Sequence, residues 1–326
     1  MDKSLLNRDI KYNRFEDIKV YLPSIIAAVA LLFLGEILTP GFISATNIAN
    51  VMTQSSLLAF IAIGQALVFF AGNSGIDLSA GAFVSMGALM ASQLSGATDE
   101  GMPFAIVMVI ILGAVFGLCN GLGIQILKIP ALAMTLAMGS IVNGFVMAYT
   151  QGKPIATVAN SIGGVGKPVW EQLRPMMVIA IIAIIVMEII IRKTRFGRSV
   201  YLIGTNRKAA LLNGIKVNRT AILVYVIAGI IACVGGVLLA GYTGSAKLEM
   251  GEDYTMTGIA AVVIGGVSVS GGKGTFIGSA LGSIVLIMLT CVLVALGMSS
   301  GTRIFFSGAI LAIILAFNCR DARLRQ

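Results

Sequence analysis

The sequence predicts an all-α membrane protein, a polytopic bundle of about ten transmembrane helices. Of its 326 residues, 57% are hydrophobic and only 11% are charged, which lies outside the usual range of soluble globular domains. Apolar runs of about 17 to 25 residues recur along the chain, and a helix of that length crosses about 30 Å of hydrocarbon. Runs such as 176–191 show no alternation of apolar and polar residues, which argues against a transmembrane β-barrel.

Ten apolar segments qualify as spans, separated by short polar turns and two longer connections. The longer connections are an outer loop at 151–174, which contains the only tryptophan, and an inner loop at 192–219. We therefore predict a cytoplasmic N-terminal segment at 1–21, one transmembrane domain at 22–318 and a cytoplasmic tail at 319–326. The predicted spans are 22–39, 54–72, 78–94, 104–127, 130–150, 175–192, 220–242, 255–270, 275–297 and 302–318.

The placement of basic residues predicts that both termini are cytoplasmic. With the N-terminus inside, 18 of the 23 lysines and arginines fall in inner segments, and eight of them lie between Arg192 and Arg219. Lysine and arginine are enriched in cytoplasmic loops, so this asymmetry favours an even number of spans. The net charge of +9 is thus explained by membrane topology, and no nucleic-acid partner is expected. The basic residues that fall outside are Lys153, Lys167, Arg174, Lys247 and Arg303.

The inner loop contains the pattern of one short helix. Asn206 is a favourable N-cap, helix-forming residues follow it, and Gly214 suits the left-handed conformation that ends a helix. Two turns of helix are marginal in water, so this helix needs a surface to pack against. Two partners fit this helix equally well. One is anionic membrane lipid, contacted by Arg207, Lys208 and Lys216, and the other is a groove on a cytoplasmic protein.

The inner loop also carries an extended motif. Residues 194–217 read TRFGRSVYLIGTNRKAALLNGIKV, which closely resembles the cytoplasmic loop of ribose-type sugar permeases, the membrane subunits of ABC importers. That loop typically reads T-R-F-G-R, then A-I-G-x-N, then A-A-x-x-S-G-I-x-V. Asn213 replaces the usual serine, and Lys208 stands where an acid is common. Further stretches resemble motifs of the same family in the same order: 72–83, 130–144, 151–155 and 260–283.

The resemblance implies a multi-pass permease of the bacterial cytoplasmic membrane that is not itself an enzyme. In such importers a periplasmic or surface-tethered binding protein delivers the sugar, and two ATPase subunits, which bind the ATP, dock on two permease subunits. A second copy of this chain or a paralogue would complete the pair. The short inner helix is then the coupling helix, with an apolar side that sits in a cleft of the ATPase. The implied coupling residues are Gly204, Asn206, Ala209, Ala210, Leu211, Leu212, Gly214 and Ile215.

Polar residues within the spans are candidates for a substrate path. Hydroxyl and amide groups would suit a neutral polyol, although hydrogen bonds between helices explain such residues equally well. The stretch around Asp77 interrupts an apolar region: Asp77 or Ser74 could cap a helix that begins near Leu78, or the stretch could be a discontinuous helix facing the path. The candidates are Asn73, Asp77, Ser79, Asn120, Gln125, Thr135, Ser140 and Asn143.

The runner-up function is a secondary carrier or channel for a small polar solute. Acids within spans are candidate proton or sodium sites, but Glu188 lies four residues before Arg192, a spacing that pairs them, and Glu36 lies near the outer interface. A buried chain of acids is therefore not evident around Asp77.

Enzymatic and metal-dependent functions have little support in the sequence. The stretch at 265–275 superficially resembles a phosphate-binding loop, but Gly274 follows Lys273 where Ser or Thr is required. The chain has no histidine, and its four cysteines show no CxxC spacing, so neither a zinc site nor a disulfide framework is expected. We expect no metal and no cofactor bound by this chain, and no intramembrane active site.

Overall fold

The computed structural model describes residues 14–72, 75–153, 157–299, 301–302, 305–306 and 308–309. This part of the chain is 75% helical and contains no strand, in agreement with the predicted fold class. Its named helices are α1 (Arg14–Leu38), α2 (Ala45–Phe70), α3 (Ala80–Ser95), α4 (Met102–Gln125), α5 (Ala131–Thr150), α6 (Asn160–Gly163), α7 (Pro175–Lys193), α8 (Arg195–Thr205), α9 (Arg207–Leu212), α10 (Val217–Thr243), α11 (Asp253–Ile264) and α12 (Phe276–Ala295).

Seven of these helices are long and apolar enough to cross a membrane. They correspond to seven of the ten segments expected from the sequence. The segment at 78–94 forms α3, which has 16 residues, and the segment at 255–270 forms α11, which has 12. The segment at 302–318 lies largely outside the described residues. The seven spanning helices are the apolar part of α1 from Tyr21, together with α2, α4, α5, α7, α10 and α12.

Glycines explain why α11 is shorter than its apolar run. Backbone N–H groups of Gly265 and Gly266 bond to the carbonyls of Ala261 and Val263, which closes the helix, and Gly266 has a φ of +82°. The positive φ is the left-handed conformation that terminates helices. Residues 265–275 therefore form a loop, and the chain resumes as a helix where the Thr275 hydroxyl accepts a 2.9 Å bond from the Gly278 N–H.

The core of the bundle is built from α2, α3 and α10. Nearly all of α3 is buried, and α10 packs against α2, α3 and α4. Along α4, Gly113, Gly117 and Gly121 recur every four residues against the α10 backbone. A Cβ on Gly113 would lie 2.7 Å from the Gly229 carbonyl oxygen, and one on Gly121 would lie 2.9 Å from Ile222 Cα. Small residues thus bring the two helices to backbone contact, as expected for packing in lipid.

The inner loop contains two helices instead of the one expected. The Thr194 hydroxyl accepts from the Gly197 N–H and starts α8, and α8 ends where Asn206 adopts an extended conformation. Val200 and Ile203 on α8 are buried against the bundle. The sequence prediction found only the short helix that follows, α9. In the outer loop, the described residues form α6 and a single bridge between Trp170 and Leu173.

Candidate functional site

Local sequence defines both ends of α9. The Asn206 side-chain oxygen accepts a 3.0 Å bond from the Ala209 N–H, and the Gly214 N–H bonds to the Leu211 carbonyl at 2.9 Å. Gly214 has a φ of +76°, which confirms the expected cap and the expected stop. The helix itself spans Arg207–Leu212, one residue shorter than expected at its C-terminal end.

Two sets of contacts hold α9 on the bundle. Ala210 is fully buried in a small apolar cluster with Ile203 and Val217. The Arg207 guanidinium donates a 2.6 Å bond to the Gln125 side-chain oxygen at the end of α4, and a 2.9 Å bond to Asn218 on α10. The helix is therefore fixed to α4, α8 and α10, which compensates for its short length.

The exposed residues of α9 are Lys208 and two leucines. Leu212 is 90% exposed and Leu211 is 57% exposed, while Ala209 is only partly buried. The buried position of Ala210 corrects the expectation that it belongs to an outward-facing apolar side. Ile215 likewise packs against the Ala210 cluster, and Gly204 lies against the backbone at the end of α2.

A buried polar network surrounds Asp77 in the non-helical residues 75–79 that precede α3. Asp77 Oδ1 accepts bonds from the Ser79 N–H (2.9 Å) and the Ser79 hydroxyl (2.5 Å). Asn120 on α4 donates to the Ser79 hydroxyl at 2.9 Å, and Gln65 on α2 donates to the Asp77 carbonyl at 2.9 Å. The remaining side-chain oxygens of Gln65 and Asn120 are buried and have no hydrogen-bond partner among the described residues.

This network revises the role of Asp77. The helix begins at Ala80 and not near Leu78, and Ser79, at the N-cap position, makes no side-chain cap bond. Because Asp77 lies two residues before the N-cap position, its bond to the Ser79 N–H forms a turn ahead of the helix and does not cap it. Asn73 and Ser74 lie outside the described residues.

The other substrate-path candidates are dispersed. Thr135 is buried and its hydroxyl donates to the Ala131 carbonyl (2.9 Å) and reaches the Ile76 carbonyl (3.3 Å), which ties α5 to the Asp77 segment. Ser140 donates only to the Leu136 carbonyl of its own helix. Asn143 donates to Glu252 before α11 at 3.4 Å.

Gln125 lies away from this network, at the α9 contact, where its side-chain oxygen accepts from Arg207. It therefore supports α9 in this structure and does not join the polar groups around Asp77.

Sequence reasoning missed several polar residues at the same site. The Thr255 hydroxyl accepts from the Gly81 N–H, and the Ser85 hydroxyl accepts from the Gly251 N–H, both at 2.9 Å. These bonds join α3 to the start of α11. A detectable signal existed for Gln65, which is a lone amide within the apolar run of α2.

The intramembrane acids Glu36 and Glu188 have local partners. Glu188 pairs with Arg192 as expected and also accepts a 2.9 Å bond from the Phe276 N–H. Glu36 accepts from the Gly41 and Ile43 N–H groups at 3.0 and 2.7 Å. Both carboxylates thus have structural roles at helix ends. Among the described residues, no group of three or more His, Cys, Asp or Glu side chains could hold a metal ion.

Comparison with known proteins identifies the family. A model described as "Branched-chain amino acid transport system / permease component" matches residues 47–315. The chain is 33% identical over 320 residues to a ribose import permease of Bacillus subtilis (strain 168), covering 96% of this chain and 97% of that protein. No solved structure matches significantly.

Two further relatives are named for other substrates. A galactose/methyl galactoside import permease of Escherichia coli (strain K12) is 34% identical, covering 86% of this chain and 88% of that protein. An autoinducer 2 import permease of Enterobacter sp. (strain 638) is 31% identical, covering 94% and 87%. With its seven apolar helices, this chain is a multi-pass protein of the inner membrane. The match over most of its length shows that the chain belongs to this family of import-system permease components.

Proposed function

We propose that this chain is the membrane-spanning subunit of an ATP-driven importer that translocates a sugar or sugar-like polyol delivered by an extracytoplasmic binding protein. The observation that carries the proposal is α9, a short helix anchored to three other helices that presents two leucines away from its own chain. These leucines favour a protein contact because they lie on a segment with eight basic residues, which the positive-inside rule places in the cytoplasm. The relatives are named for the import of ribose, galactosides and autoinducer 2, which supports the same function.

The proposed topology has ten spans with both termini in the cytoplasm. The positive-inside distribution supports it, because the segment that contains α8 and α9 carries eight basic residues. The proposed domain limits remain 1–21, 22–318 and 319–326. The short helices α3 and α11 would count as spans, with the mostly buried, non-helical residues 75–79 before α3 and the partly exposed loop 265–275 after α11.

In the proposed complex, Leu211 and Leu212 enter a cleft of the ATPase. The ATPase subunits bind and hydrolyse ATP, and a second copy of this chain or a paralogue binds the second ATPase. The other residues of the coupling region have supporting roles. Asn206 and Gly214 define the ends of α9, and Ala210 and Ile215 pack its inner side onto the bundle. Helix α8 leads directly into α9, and Ile203 of α8 packs against Ala210 of α9. A tilt that ATPase closure imposes on α9 would therefore move both helices together.

The proposed substrate path passes the network around Asp77. Gln65 and Asn120 each have a buried oxygen without a partner, and a sugar hydroxyl can donate to such an oxygen. A zwitterionic amino acid would also require charged partners, and Asp77 is the only charged residue in this network. Asn73, Ser79, Thr135, Ser140 and Asn143 complete the proposed path, whereas Gln125 is assigned to the support of α9.

Transport by purified components tests this function. The chain is reconstituted in proteoliposomes with its ATPase and binding protein, and uptake of radiolabelled ribose, galactose and leucine is measured with and without ATP. We expect ATP-dependent uptake of a sugar. Uptake that follows an ion gradient without ATP would establish the secondary carrier instead, and ATP-dependent uptake of leucine alone would refute the sugar assignment.

A pair of variants tests the docking role of α9. Leu212→Glu places a charge on the exposed patch and is expected to reduce co-purification of the ATPase at least about tenfold. Lys208→Glu is the matched control, since Lys208 is exposed on the same helix and an acid is common there in the resembling loop. If the Leu212→Glu variant and the unmodified protein co-purified the ATPase equally, α9 would not be part of the ATPase interface.

A further inference from the structure

Three segments that are distant in sequence meet through their backbones beneath α9. They are the end of α2, the end of α8 and the loop between α11 and α12. The Gly272 N–H donates a 3.1 Å bond to the Phe70 carbonyl. Four glycines form this contact, which we call the glycine junction: Gly72, Gly204, Gly271 and Gly272.

The glycine junction has no room for side chains. A Cβ on Gly72 would lie 2.8 Å from Gly204 Cα, and a Cβ on Gly272 would lie 2.7 Å from the Thr205 nitrogen. A Cβ on Gly204 would overlap the Phe70 carbonyl oxygen. All of these neighbours are backbone atoms, so they cannot move aside as a flexible side chain can. The three segments are therefore in direct contact, and a displacement of one must displace the others.

Aromatic side chains fix the end of α8 at the same place. The Tyr201 hydroxyl donates a 2.6 Å bond to the Gly274 carbonyl. The Tyr201 ring lies 5.2 Å from the ring of Phe70, and Phe70 lies 5.1 Å from Phe276 at the start of α12. Both separations are within the range of favourable aromatic pairs. The last turn of α8 is thus attached to the ends of α2 and α12.

The two sides of the glycine junction lead to the two candidate sites. Gly204 is followed within three residues by the start of α9. Gly72 is the second residue after α2, and its carbonyl accepts a 3.1 Å bond from the Gly75 N–H, at the start of the non-helical residues 75–79 that contain Asp77 and Ser79. The distance along the chain between Gly72 and Gly204 is large, but a Cβ on Gly72 would also lie 3.0 Å from the Gly204 carbonyl oxygen.

We infer that the glycine junction positions residues 75–79 according to the position of α8 and α9, and so transmits ATPase movement to the substrate path by backbone contact. This inference rests on the proposed function. It assigns Gly72, Gly204 and the 271–272 pair as positioning residues for transport, and gives the glycine-rich loop at 265–275 a mechanical role instead of phosphate binding.

Gly204→Ala is the sharpest test because Gly204 lies in α8 and does not have a positive φ. Alanine favours a helix over glycine by about 1 kcal/mol, so only the contacts with the Phe70 carbonyl and the Gly272 backbone oppose the substitution. The matched control is Gly144→Ala in α5, where a Cβ would have no neighbour within 4 Å. Both variants are reconstituted with the ATPase and the binding protein.

The measured quantity is the number of ATP molecules hydrolysed per sugar imported, with whichever of ribose and galactose the unmodified complex takes up. For Gly204→Ala we expect this ratio to rise at least about fivefold while ATPase co-purification is retained, and for Gly144→Ala we expect no change. A ratio for Gly204→Ala equal to that of the control overturns the inference. Absence of ATP-dependent uptake by the unmodified complex would instead refute the proposed function.

A second variant decides the matter if Gly204→Ala does not assemble. Tyr201→Phe removes the hydroxyl that bonds to Gly274 without adding volume. We expect the complex to assemble with a ratio at least about twofold higher than that of the unmodified protein. An unchanged ratio in the assembled Tyr201→Phe complex overturns the inference.

Discussion

Gln125 accepts a 2.6 Å hydrogen bond from Arg207 across 82 residues of sequence, and so joins the end of α4 to the first residue of α9. This bond, together with the burial of Ala210, turns six helical residues into a fixed element. The orientation of the exposed leucines therefore depends on a residue in a membrane helix.

Loss of this bond is expected to loosen α9. Hydrogen bonds to charged groups contribute about 1.5–3 kcal/mol, and the lower end applies here because Arg207 is only partly buried and keeps its bond to Asn218. For Gln125→Leu we expect faster amide exchange at Leu211 and Leu212, with unchanged exchange in the middle of α4. A double-mutant cycle with Arg207→Met measures the coupling; fully additive effects would show that the bond contributes nothing.

The cap at Asn206 makes a separate contribution. Replacing an N-cap asparagine with alanine costs about 1 kcal/mol of helix stability, so Asn206→Ala should increase amide exchange across 207–212 and weaken ATPase co-purification. Asn206→Asp keeps the oxygen that accepts from the Ala209 N–H and serves as the control. If the two variants exchanged equally fast, the cap would not be the reason for the asparagine.

The turn at Asp77 is expected to depend on an acceptor and not on a charge. Asp77→Asn keeps an oxygen for the Ser79 N–H and hydroxyl, so thermal unfolding in detergent should change little. Asp77→Ala leaves a buried N–H unpaired, which costs about 1–3 kcal/mol. The melting temperature should therefore fall for alanine only. An equal fall for both variants would indicate that the carboxylate charge itself is required.

Asp99 joins the connection between α3 and α4 to α6 in a pH-dependent manner. Its Oδ1 accepts a 2.7 Å bond from the Ser161 N–H in α6, and this bond holds the pKa of Asp99 below its ordinary value. Because the folded pKa is lowered, the contact is fully present above about pH 4, the ordinary range of an aspartate, and is lost as the pH falls through the lowered pKa.

Proteolysis of the outer loop measures this effect. Cleavage within 157–174 by an acid-active protease should increase only at pH values below about 4. The Asp99→Asn variant, which cannot titrate, should lack this increase. A rise of the same size in Asp99→Asn would assign it to other groups.

Features set by neighbouring residues were predictable from the sequence. The cap at Asn206, the stop at Gly214 and the pairing of Glu188 with Arg192 each depend on residues within eight positions of one another. The seven spanning helices were predictable for the same reason, because each is one continuous apolar segment of the sequence. The motif of the inner loop then indicated the family, which the comparisons confirm.

Features set by tertiary contact were not predictable. Helix α8 contains Gly197 and Gly204, which lower helix propensity, yet both lie against backbone of other segments. Gly265 and Gly266 did not separate a helix end from a continuous span at 255–270, because glycine is also frequent within membrane helices. Gln125 was predicted to line the substrate path because it is a polar residue within an apolar segment. Its contact with Arg207, 82 residues away on another helix, leaves no local pattern in the sequence.

The exposure of Leu212 has a consequence for how the protein is made in the cell. In the proposed orientation, a newly inserted subunit presents this leucine and Leu211 to the cytosol until the ATPase covers them. Exposed apolar side chains of that kind promote aggregation and recognition by chaperones and proteases. We therefore expect the subunit to accumulate to higher levels when the ATPase is produced with it, so that the amount of permease in the membrane follows the supply of its partner.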